Sequence, residues 1–239
     1  MLCRNLDLSI APGELWVVLG RNGSGKTTLL HALAGLAPAQ AGRIAVAGKP
    51  LAAYSRRELG RTLGVLLQRE SEEFWGTLAD YVLLGRYPHA RSWIGWDAAD
   101  EAALARSLAA FELESLAAQA YSTLSGGERQ RARLAQLWAQ DPRLLLLDEP
   151  LQHLDLRHQL QTLQLVRQAT RDTGKAALLV LHDLTFAGRC DRVLMLYGDG
   201  RFTAGTAAEL LRPAQLEDVY GCRVRAFGNG PDAHFIPVI

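Results

Sequence analysis

The fold of this chain is decided by residues 20–28, which read Gly20-Arg21-Asn22-Gly23-Ser24-Gly25-Lys26-Thr27-Thr28. The apolar run at 15–19 before them predicts a buried strand, and the run at 29–36 after them predicts a helix. Two glycines five residues apart, followed by lysine and threonine between a strand and a helix, are typical of a phosphate-binding loop. We therefore predict that all nine residues contact a nucleotide.

The chemistry of this loop explains its residue types. Glycines let backbone N–H groups turn towards a triphosphate, and the positive end of the following helix points to the same place. Lys26 adds a positive charge near the outer phosphates, and the Thr27 hydroxyl can bind Mg2+. The alternative is a glycine-rich turn with a lysine by chance, and the flanking strand and helix argue against it.

Composition limits the class of protein. The 239 residues, 49% of them hydrophobic, suit one large α/β domain with an inserted subdomain. Lys and Arg number 26 and Asp and Glu 25, so no basic surplus points to nucleic acid. Three cysteines without a close pair predict reduced thiols in a cytosolic protein. The sequence has no signal segment and no apolar run of about 20 residues, so we expect any membrane role to act through a partner.

The apolar pattern divides the chain into two parts. Residues 1–69 and 141–239 are predicted to form a core with a β subdomain, and residues 70–140 a mostly helical insertion. In the insertion, Asp97 is predicted to cap a helix that carries Leu104, Leu108 and Phe111 on one face. In the core we expect strands at 1–19 around a turn at residues 12–13, and at 43–47, 62–67, 144–147 and 176–181.

The last third of the chain carries further signals. A hairpin is predicted to join 193–196 to 201–203, and a capping box of Thr206 and Glu209 to start a short final helix before Pro213. A longer helix is predicted to end near Gly174. Its buried side is expected to carry Leu156, Leu160, Leu163 and Val166.

Two acidic residues follow the leucine strand at 144–147. Asp148 lies at the strand's C-terminal end, where it can reach a Mg2+ held by Thr27, and Glu149 is placed to polarise a water molecule. The alternative is a solvated strand end without a function. The phosphate-binding loop upstream favours the catalytic interpretation.

Residues 124–130 read Leu-Ser-Gly-Gly-Glu-Arg-Gln. Ser125 and Glu128 form a capping box, which would mark only a helix start. Gly126 and Gly127 are poor helix formers, and two of them in a first turn suggest close approach to the backbone. The segment is similar to the signature sequence of ATP-binding-cassette (ABC) ATPases, and together with the loop and the acidic pair it makes the chain resemble that family over nearly its whole length.

The resemblance implies a fold and further site residues. The fold is α/β, a P-loop NTPase RecA-like core with an antiparallel β subdomain and a helical insertion. Gln68 matches the family's glutamine that contacts Mg2+ and signals to the membrane partner, Asp155 its D-loop aspartate, and His182 its switch histidine near the γ-phosphate. Each would be unremarkable alone, and only their positions relative to the stronger motifs favour these roles.

The resemblance also implies partners. Two copies are expected to pair head to tail, with each ATP between the phosphate-binding loop of one chain and residues 125–127 of the other. Residues 74–89, which include Gly-Arg-Tyr-Pro-His at 85–89, resemble importers of iron–siderophore complexes, haem and vitamin B12. A peripheral ATPase at the cytoplasmic face of the inner (cell) membrane follows, with a separate permease and, indirectly, a substrate-binding protein; nucleic acid is not expected. A generic turn before a helix is the alternative for this stretch.

Other functions stay open at this point. The chain could be a soluble ABC ATPase outside transport, a transporter subunit for another cargo, or a regulator that binds ATP without hydrolysing it. The absence of a second cassette argues against the first, and the presence of Glu149 and His182 against the last. The family's first strand, with its adenine-stacking ring, has no counterpart before Cys3. Either the start codon is assigned too late, or the protein tolerates the loss, or another ring takes its place; without such a ring we expect weak discrimination between bases.

Overall fold

The computed structural model describes residues 3–68, 74–90, 95–228, 230 and 233–238. The strands of these residues are β1 (Leu15–Gly20), β2 (Ala45–Val46), β3 (Lys49–Pro50), β4 (Leu63–Leu66), β5 (Leu144–Asp148), β6 (Ala176–Val180), β7 (Arg192–Leu196), β8 (Phe202–Thr206), β9 (Arg223–Phe227) and β10 (His234–Val238). The α-helices are α1 (Lys26–Leu33), α2 (Arg56–Thr62), α3 (Leu78–Leu83), α4 (Ala98–Ala110), α5 (Gly126–Gln140), α6 (Leu156–Thr173), α7 (Leu184–Ala187), α8 (Ala207–Leu210) and α9 (Pro213–Tyr220).

The main sheet has the strand order β4-β5-β6-β1-β7-β8. The first five strands in this order, from β4 through β1 to β7, run parallel. The last strand, β8, pairs antiparallel with β7 and forms the predicted hairpin. Because parallel strands end at the same edge, the segments that follow β1, β4, β5 and β6 meet there. This edge collects the phosphate-binding loop, Gln68, Glu149 and His182.

The parallel strands are buried on both faces, which explains their continuous apolar runs. Alternate residues point to opposite sides, so Val17 and Leu19 pack in one core cluster while Trp16 and Val18 pack in the other. Trp16 is therefore a core residue. The first cluster contains residues of α3, α4, α5 and α6, and the second contains residues of α1.

The helical insertion has the predicted start signals. Asp97 caps α4 by accepting hydrogen bonds from the backbone N–H groups of Ala99 and Asp100, and Leu108 and Phe111 are buried. Between residues 74 and 140, the described part contains an isolated bridge of Thr77 with Ala120 but no longer strand. The division into domains remains a prediction. Among the described helices, none combines the length and apolar character needed to cross a bilayer.

Several predicted boundaries were wrong. Residues 3–14 form no strand, so the strand expected before the turn at 12–13 is missing and β1 begins only at Leu15. The helix expected at 29–36 begins earlier, at Lys26, because Gly25 is its N-cap, and it ends at Leu33, with Ala34 as its C-cap. The strand expected at 43–47 is shorter, since only the two residues of β2 are in strand conformation, where they pair antiparallel with β3.

Two further expectations fail towards the C-terminus. The capping box of Thr206 and Glu209 is confirmed, but α8 is not the final helix, since Pro213 opens α9 as a residue of its first turn. Helix α6 does end at Gly174, and Leu163 and Val166 are buried. Leu156, 66% exposed, and Leu160, 37% exposed, lie outside the core, so the apolar side of α6 was extended too far.

Candidate functional site

The phosphate-binding loop is built around two glycines. Gly25 has a left-handed backbone with φ of +94° at the N-cap of α1. At Gly20, a Cβ would lie 2.5 Å from the Leu196 carbonyl oxygen and 2.6 Å from Ser24 Oγ, so a side chain there would collide with backbone. Both conformations agree with a loop that turns its backbone inwards.

Lys26 lies inside this loop. Its Nζ donates to the carbonyl oxygens of Gly20 at 2.8 Å and Arg21 at 3.1 Å, and the side chain is buried. Burial lowers the pKa of Lys26, while the carboxylates of Glu149 and Asp148 act against that shift. The lysine is thus held where the loop can present its charge to a phosphate.

A cleft of about 580 Å3 opens at the carboxyl edge of the sheet. It brings the phosphate-binding loop together with Gln68, Glu149 and His182, which lie far apart in sequence. Its lining comprises Asn22, Gly23, Gly25, Lys26, Thr27, Thr28, Gln68, Glu149, Gln152 and His182. No phenylalanine, tyrosine or tryptophan is among these described residues, and the expected weak discrimination between bases stays a prediction.

Asp148 is the last residue of β5 and is 1% exposed. Within the described chain, neither of its carboxylate oxygens has a hydrogen-bond partner of normal geometry. Burial raises the pKa of Asp148 and Glu149 adds to the rise, while the Thr27 hydroxyl opposes it. A buried, unpaired carboxylate beside a hydroxyl oxygen is the kind of donor set that suits Mg2+.

Glu149 and His182 form a pair in the cleft. Glu149 has a left-handed backbone with φ of +51°, which is uncommon for a residue with a side chain and turns the chain sharply after β5. Its Oε1 lies 2.5 Å from His182 Nε2, and its Oε2 is buried with no partner among the described residues. The pair therefore brings a carboxylate and a histidine ring together in the cleft lining, while the second carboxylate oxygen is buried without a partner among the described residues.

The signature segment lies away from this cleft. Ser125 caps α5 by accepting from the Glu128 backbone N–H, and Glu128 Oε2 accepts from the Ser125 backbone N–H at 2.8 Å. A Cβ on Gly126 would meet nothing within 4 Å, whereas one on Gly127 would lie 3.1 Å from the His153 carbonyl oxygen. Ser125, Gly126 and Gly127 are absent from the described lining of the cleft, and their action on another chain stays a prediction.

Asp155 also lies outside the cleft lining. It is the N-cap of α6 and accepts from the His158 backbone N–H at 2.9 Å. Hydrogen bonds from His158 lower the pKa of Asp155. The aspartate is exposed and held as an acceptor at the start of a helix.

The stretch at 85–89 binds three helices together. At Gly85, a Cβ would lie 2.1 Å from the Gln136 carbonyl oxygen, so only glycine allows this turn to pack on α5. Arg86 makes a buried ion pair with Asp100 of α4 at 2.8 Å and donates to the Ala139 carbonyl oxygen. Arg61 of α2 donates to the carbonyl oxygen of Pro88. Much of this family-like segment is therefore structural.

The aromatic residues of this region divide between core and surface. Phe74 and Tyr81 pack edge to face at 5.4 Å, and Tyr81 is buried. Trp75 is 93% exposed and Tyr87 is 62% exposed, with Tyr87 packed against Trp96. Two of the four rings thus pack in or against the core, and two lie at the surface.

Sequence reasoning missed one residue of the cleft, Gln152. It lies three residues after Glu149, in the turn that the left-handed backbone of Glu149 creates. Its backbone N–H donates to the Glu149 carbonyl oxygen at 3.2 Å. The spacing from Glu149 was the only available signal, and it has no meaning before the turn is known.

Comparison with known proteins gives consistent relatives. The family model described as "ABC transporter" matches residues 3–152. The hemin import ATP-binding protein HmuV of Burkholderia thailandensis is 43% identical, over 100% of this chain and 94% of that protein. The ferric enterobactin transport ATP-binding protein FepC of Escherichia coli is 35% identical, over 93% of this chain and 82% of that protein.

Two solved structures share the fold. A metal-chelate type ABC transporter in an inward-facing conformation has a TM-score of 0.81 at 27% identity, covering 99% of this chain and 90% of that one. A dimeric ATP-binding cassette in a post-hydrolysis state, bound to ADP and Pi, has a TM-score of 0.75 at 25% identity, covering 86% and 90%. Both agree with the predicted α/β core around a phosphate-binding loop.

Proposed function

The chain belongs to the ABC transporter family, and from this premise we propose that it is the ATP-hydrolysing subunit of an importer for a metal chelate. The observation that carries the proposal is the single cleft lined by the phosphate-binding loop, Gln68, Glu149 and His182. The cargo class is an iron–siderophore complex, haem or cobalamin, since named relatives import hemin and ferric enterobactin. Purified protein should hydrolyse ATP, and its permease should raise the rate.

The residues of the cleft divide the work of hydrolysis. Lys26 and the backbone N–H groups of the loop hold the outer phosphates, because the lysine charge and the α1 N-terminus both favour anions there. Glu149, with one buried unpaired oxygen, takes a proton from the attacking water. His182 orients Glu149 and supports the γ-phosphate.

Mg2+ is part of this proposal. Thr27, Gln68 and Asp148 would hold the ion, and the unpaired oxygens of Asp148 support this assignment. The ion would neutralise phosphate charge when bound. The pKa of Asp148 is higher in the folded protein than in the unfolded chain, so its charge lowers the free energy of unfolding at neutral pH. This destabilisation is fully present above the pKa of the folded state and disappears below the pKa of the unfolded state.

Asp148→Asn should separate the role of Asp148 in binding Mg2+ from its effect on the free energy of unfolding. Since a buried charge is removed, we expect the nucleotide-free protein to melt a few degrees higher, about 2–4 °C per kcal/mol recovered. ATP affinity should no longer respond to exchange of Mg2+ for EDTA. Calorimetric melting and ATP titration in both buffers measure the two effects. Wild-type Mg2+ dependence in the variant would contradict the assignment.

The exposure of two segments supports a proposal about the partners. Residues 125–127 and Asp155 are exposed or half-exposed and outside the cleft, so we propose that they meet the ATP of a second copy of the chain. A separate permease would carry the cargo, supplied by a substrate-binding protein. The subunit would then be peripheral, at the cytoplasmic face of the cell membrane. Co-purification with a permease distinguishes this function from that of a soluble ABC ATPase.

Trp75 is the best candidate for a contact with the permease, because it is 93% exposed and lies near Gln68 in sequence. Exposed tryptophans commonly anchor interfaces. Trp75→Ala should lower permease-stimulated hydrolysis and transport by about tenfold, the loss expected for a side chain that carries more than about 1 kcal/mol of binding. Basal hydrolysis by the isolated subunit should stay within twofold of wild type, a roughly ±0.5 kcal/mol surface effect.

Tyr81→Ala is the matched control. Tyr81 is buried, so its loss should destabilise the fold and reduce both rates together. Tyr87→Ala tests the second exposed ring. If Trp75→Ala and Tyr87→Ala both keep the stimulated rate, the permease contacts another surface.

A further inference from the structure

A turn at residues 110–112 joins the helical part of the chain to α6. Helix α4 ends here, and Glu112 has a left-handed backbone with φ of +54°. Arg131 of α5 donates to the carbonyl oxygens of Phe111 at 2.8 Å and Glu112 at 2.9 Å. Gln161 of α6 donates to the Ala110 carbonyl oxygen at 3.0 Å. Side chains of α5 and α6 thus hold adjacent carbonyl groups of one turn.

The side chain of Glu112 extends the connection towards the start of α6. Its Oε1 and Oε2 accept from Arg157 Nη2 at 2.6 and 2.8 Å, and its Oε2 lies 4.0 Å from His158 Nε2. Glu112 therefore faces two cationic or potentially cationic groups in the first turn of α6. The Arg157 side chain is 70% exposed, so this contact is open to solvent.

His158 completes the connection to Asp155. Its Nδ1 lies 2.9 Å from Asp155 Oδ2, while its backbone N–H donates to Asp155 Oδ1 at 2.9 Å. The imidazole side chain is only 17% exposed, so its position is well defined by packing. His158 therefore lies between the turn at 110–112 and Asp155, with a 4.0 Å approach of its Nε2 to Glu112 on one side and a 2.9 Å hydrogen bond of its Nδ1 with Asp155 on the other.

We propose that Glu112, Arg157 and His158 are positioning residues that couple the orientation of the helical part to Asp155. The inference rests on the proposed function, in which Asp155 meets the second copy. It goes beyond that function because these three side chains are outside the cleft lining. Motion of α4 and α5 moves the turn at 110–112, and the turn moves the Asp155 carboxylate. The expected signature is a change in kcat with an unchanged KM for ATP.

The charged pair is tested by a double-mutant cycle. Glu112→Gln and Arg157→Gln should each lower kcat by about two- to fivefold, the range for an exposed charged pair. The double variant should lose no more than either single variant, because each substitution breaks the same contact. Lys49→Gln, which breaks the exposed Lys49–Glu58 pair, is the control and should keep the wild-type kcat.

His158 is tested by its hydrogen bond. His158→Leu should lower kcat at unchanged KM and unchanged melting temperature, and His158→Asn, which retains a donor near Asp155, should restore at least half of the loss. Equal rates in the two variants, additive losses in the cycle, or an equal loss in Lys49→Gln would overturn the coupling. A wild-type protein that hydrolyses no ATP would overturn the proposed function and the coupling together, whereas normal wild-type hydrolysis with unaffected variants overturns the coupling alone.

Discussion

Glu149→Gln should bind ATP normally and lose at least about a hundredfold in turnover, because the substitution keeps the shape of the side chain and removes a general base. Glu149 is 8% exposed and lines the cleft, and its Oε2 is buried without a partner among the described residues. The His182 contact survives in the variant, since the glutamine carbonyl can accept where Oε1 accepted. The turnover rate is measured as ATP hydrolysis with the permease present, and the ATP affinity is measured by equilibrium titration.

The loss must be specific to this carboxylate. Glu101→Gln, on the exposed side of α4, is a matched control and should hydrolyse at the wild-type rate. Near-normal turnover in Glu149→Gln would remove Glu149 from its assigned role. Loss of ATP binding together with turnover would instead indicate a damaged loop.

Gly126→Asp should abolish hydrolysis while leaving ATP binding by the monomer intact. A Cβ at Gly126 meets nothing within 4 Å, so the aspartate fits its own chain, and a carboxylate at the first turn of α5 is favourable for the helix. In the proposed dimer it would face the γ-phosphate of the other chain. Like charges 4 Å apart repel by about 4 kcal/mol at a partly desolvated site, about a thousandfold in association.

Gly127 is a poorer position for this test, since a side chain there would press on the His153 carbonyl oxygen within the same chain. Gly126→Asn is the matched control, because it has the same size as aspartate without the charge. Light scattering with ATP, in a Glu149→Gln background, measures dimerisation directly. A normal ATP-bound dimer of the Gly126→Asp variant would contradict the assignment of residues 125–127 to a neighbouring chain.

The sequence predicts the strands and the site best where a rule is local. Leu144 to Leu147 form an interior strand because a continuous apolar run suits a parallel strand covered on both faces, and Ser125, Asp97 and Thr206 cap helices as expected. Motif spacing also located Gln68, Glu149 and His182, which the parallel sheet then brings to one edge.

The errors arise where tertiary contacts decide. Leu156 and Leu160 share the apolar period of α6, yet the hydrophobic core does not extend to this first part of the helix. Gly85 resembles a turn glycine in the sequence. In the structure, glycine is required there because a Cβ would lie 2.1 Å from the Gln136 carbonyl oxygen, which no sequence pattern reveals. The contact of His158 with Asp155 is local in sequence. The contact of Arg157 with Glu112 joins residues 45 positions apart, so no sequence pattern reveals it.

The strand order also determines when the protein can fold during its own synthesis. Strand β1 carries the phosphate-binding loop but lies between β6 and β7, so Leu15 pairs with Ala177 and Trp16 with Arg192. At roughly 5–20 residues per second, the ribosome needs about ten to thirty seconds to supply these partners. Until then an apolar strand destined for the centre has no neighbours, and such long-range pairing is slow. Nascent chains that end before β6 should therefore expose β1 to chaperones and to aggregation.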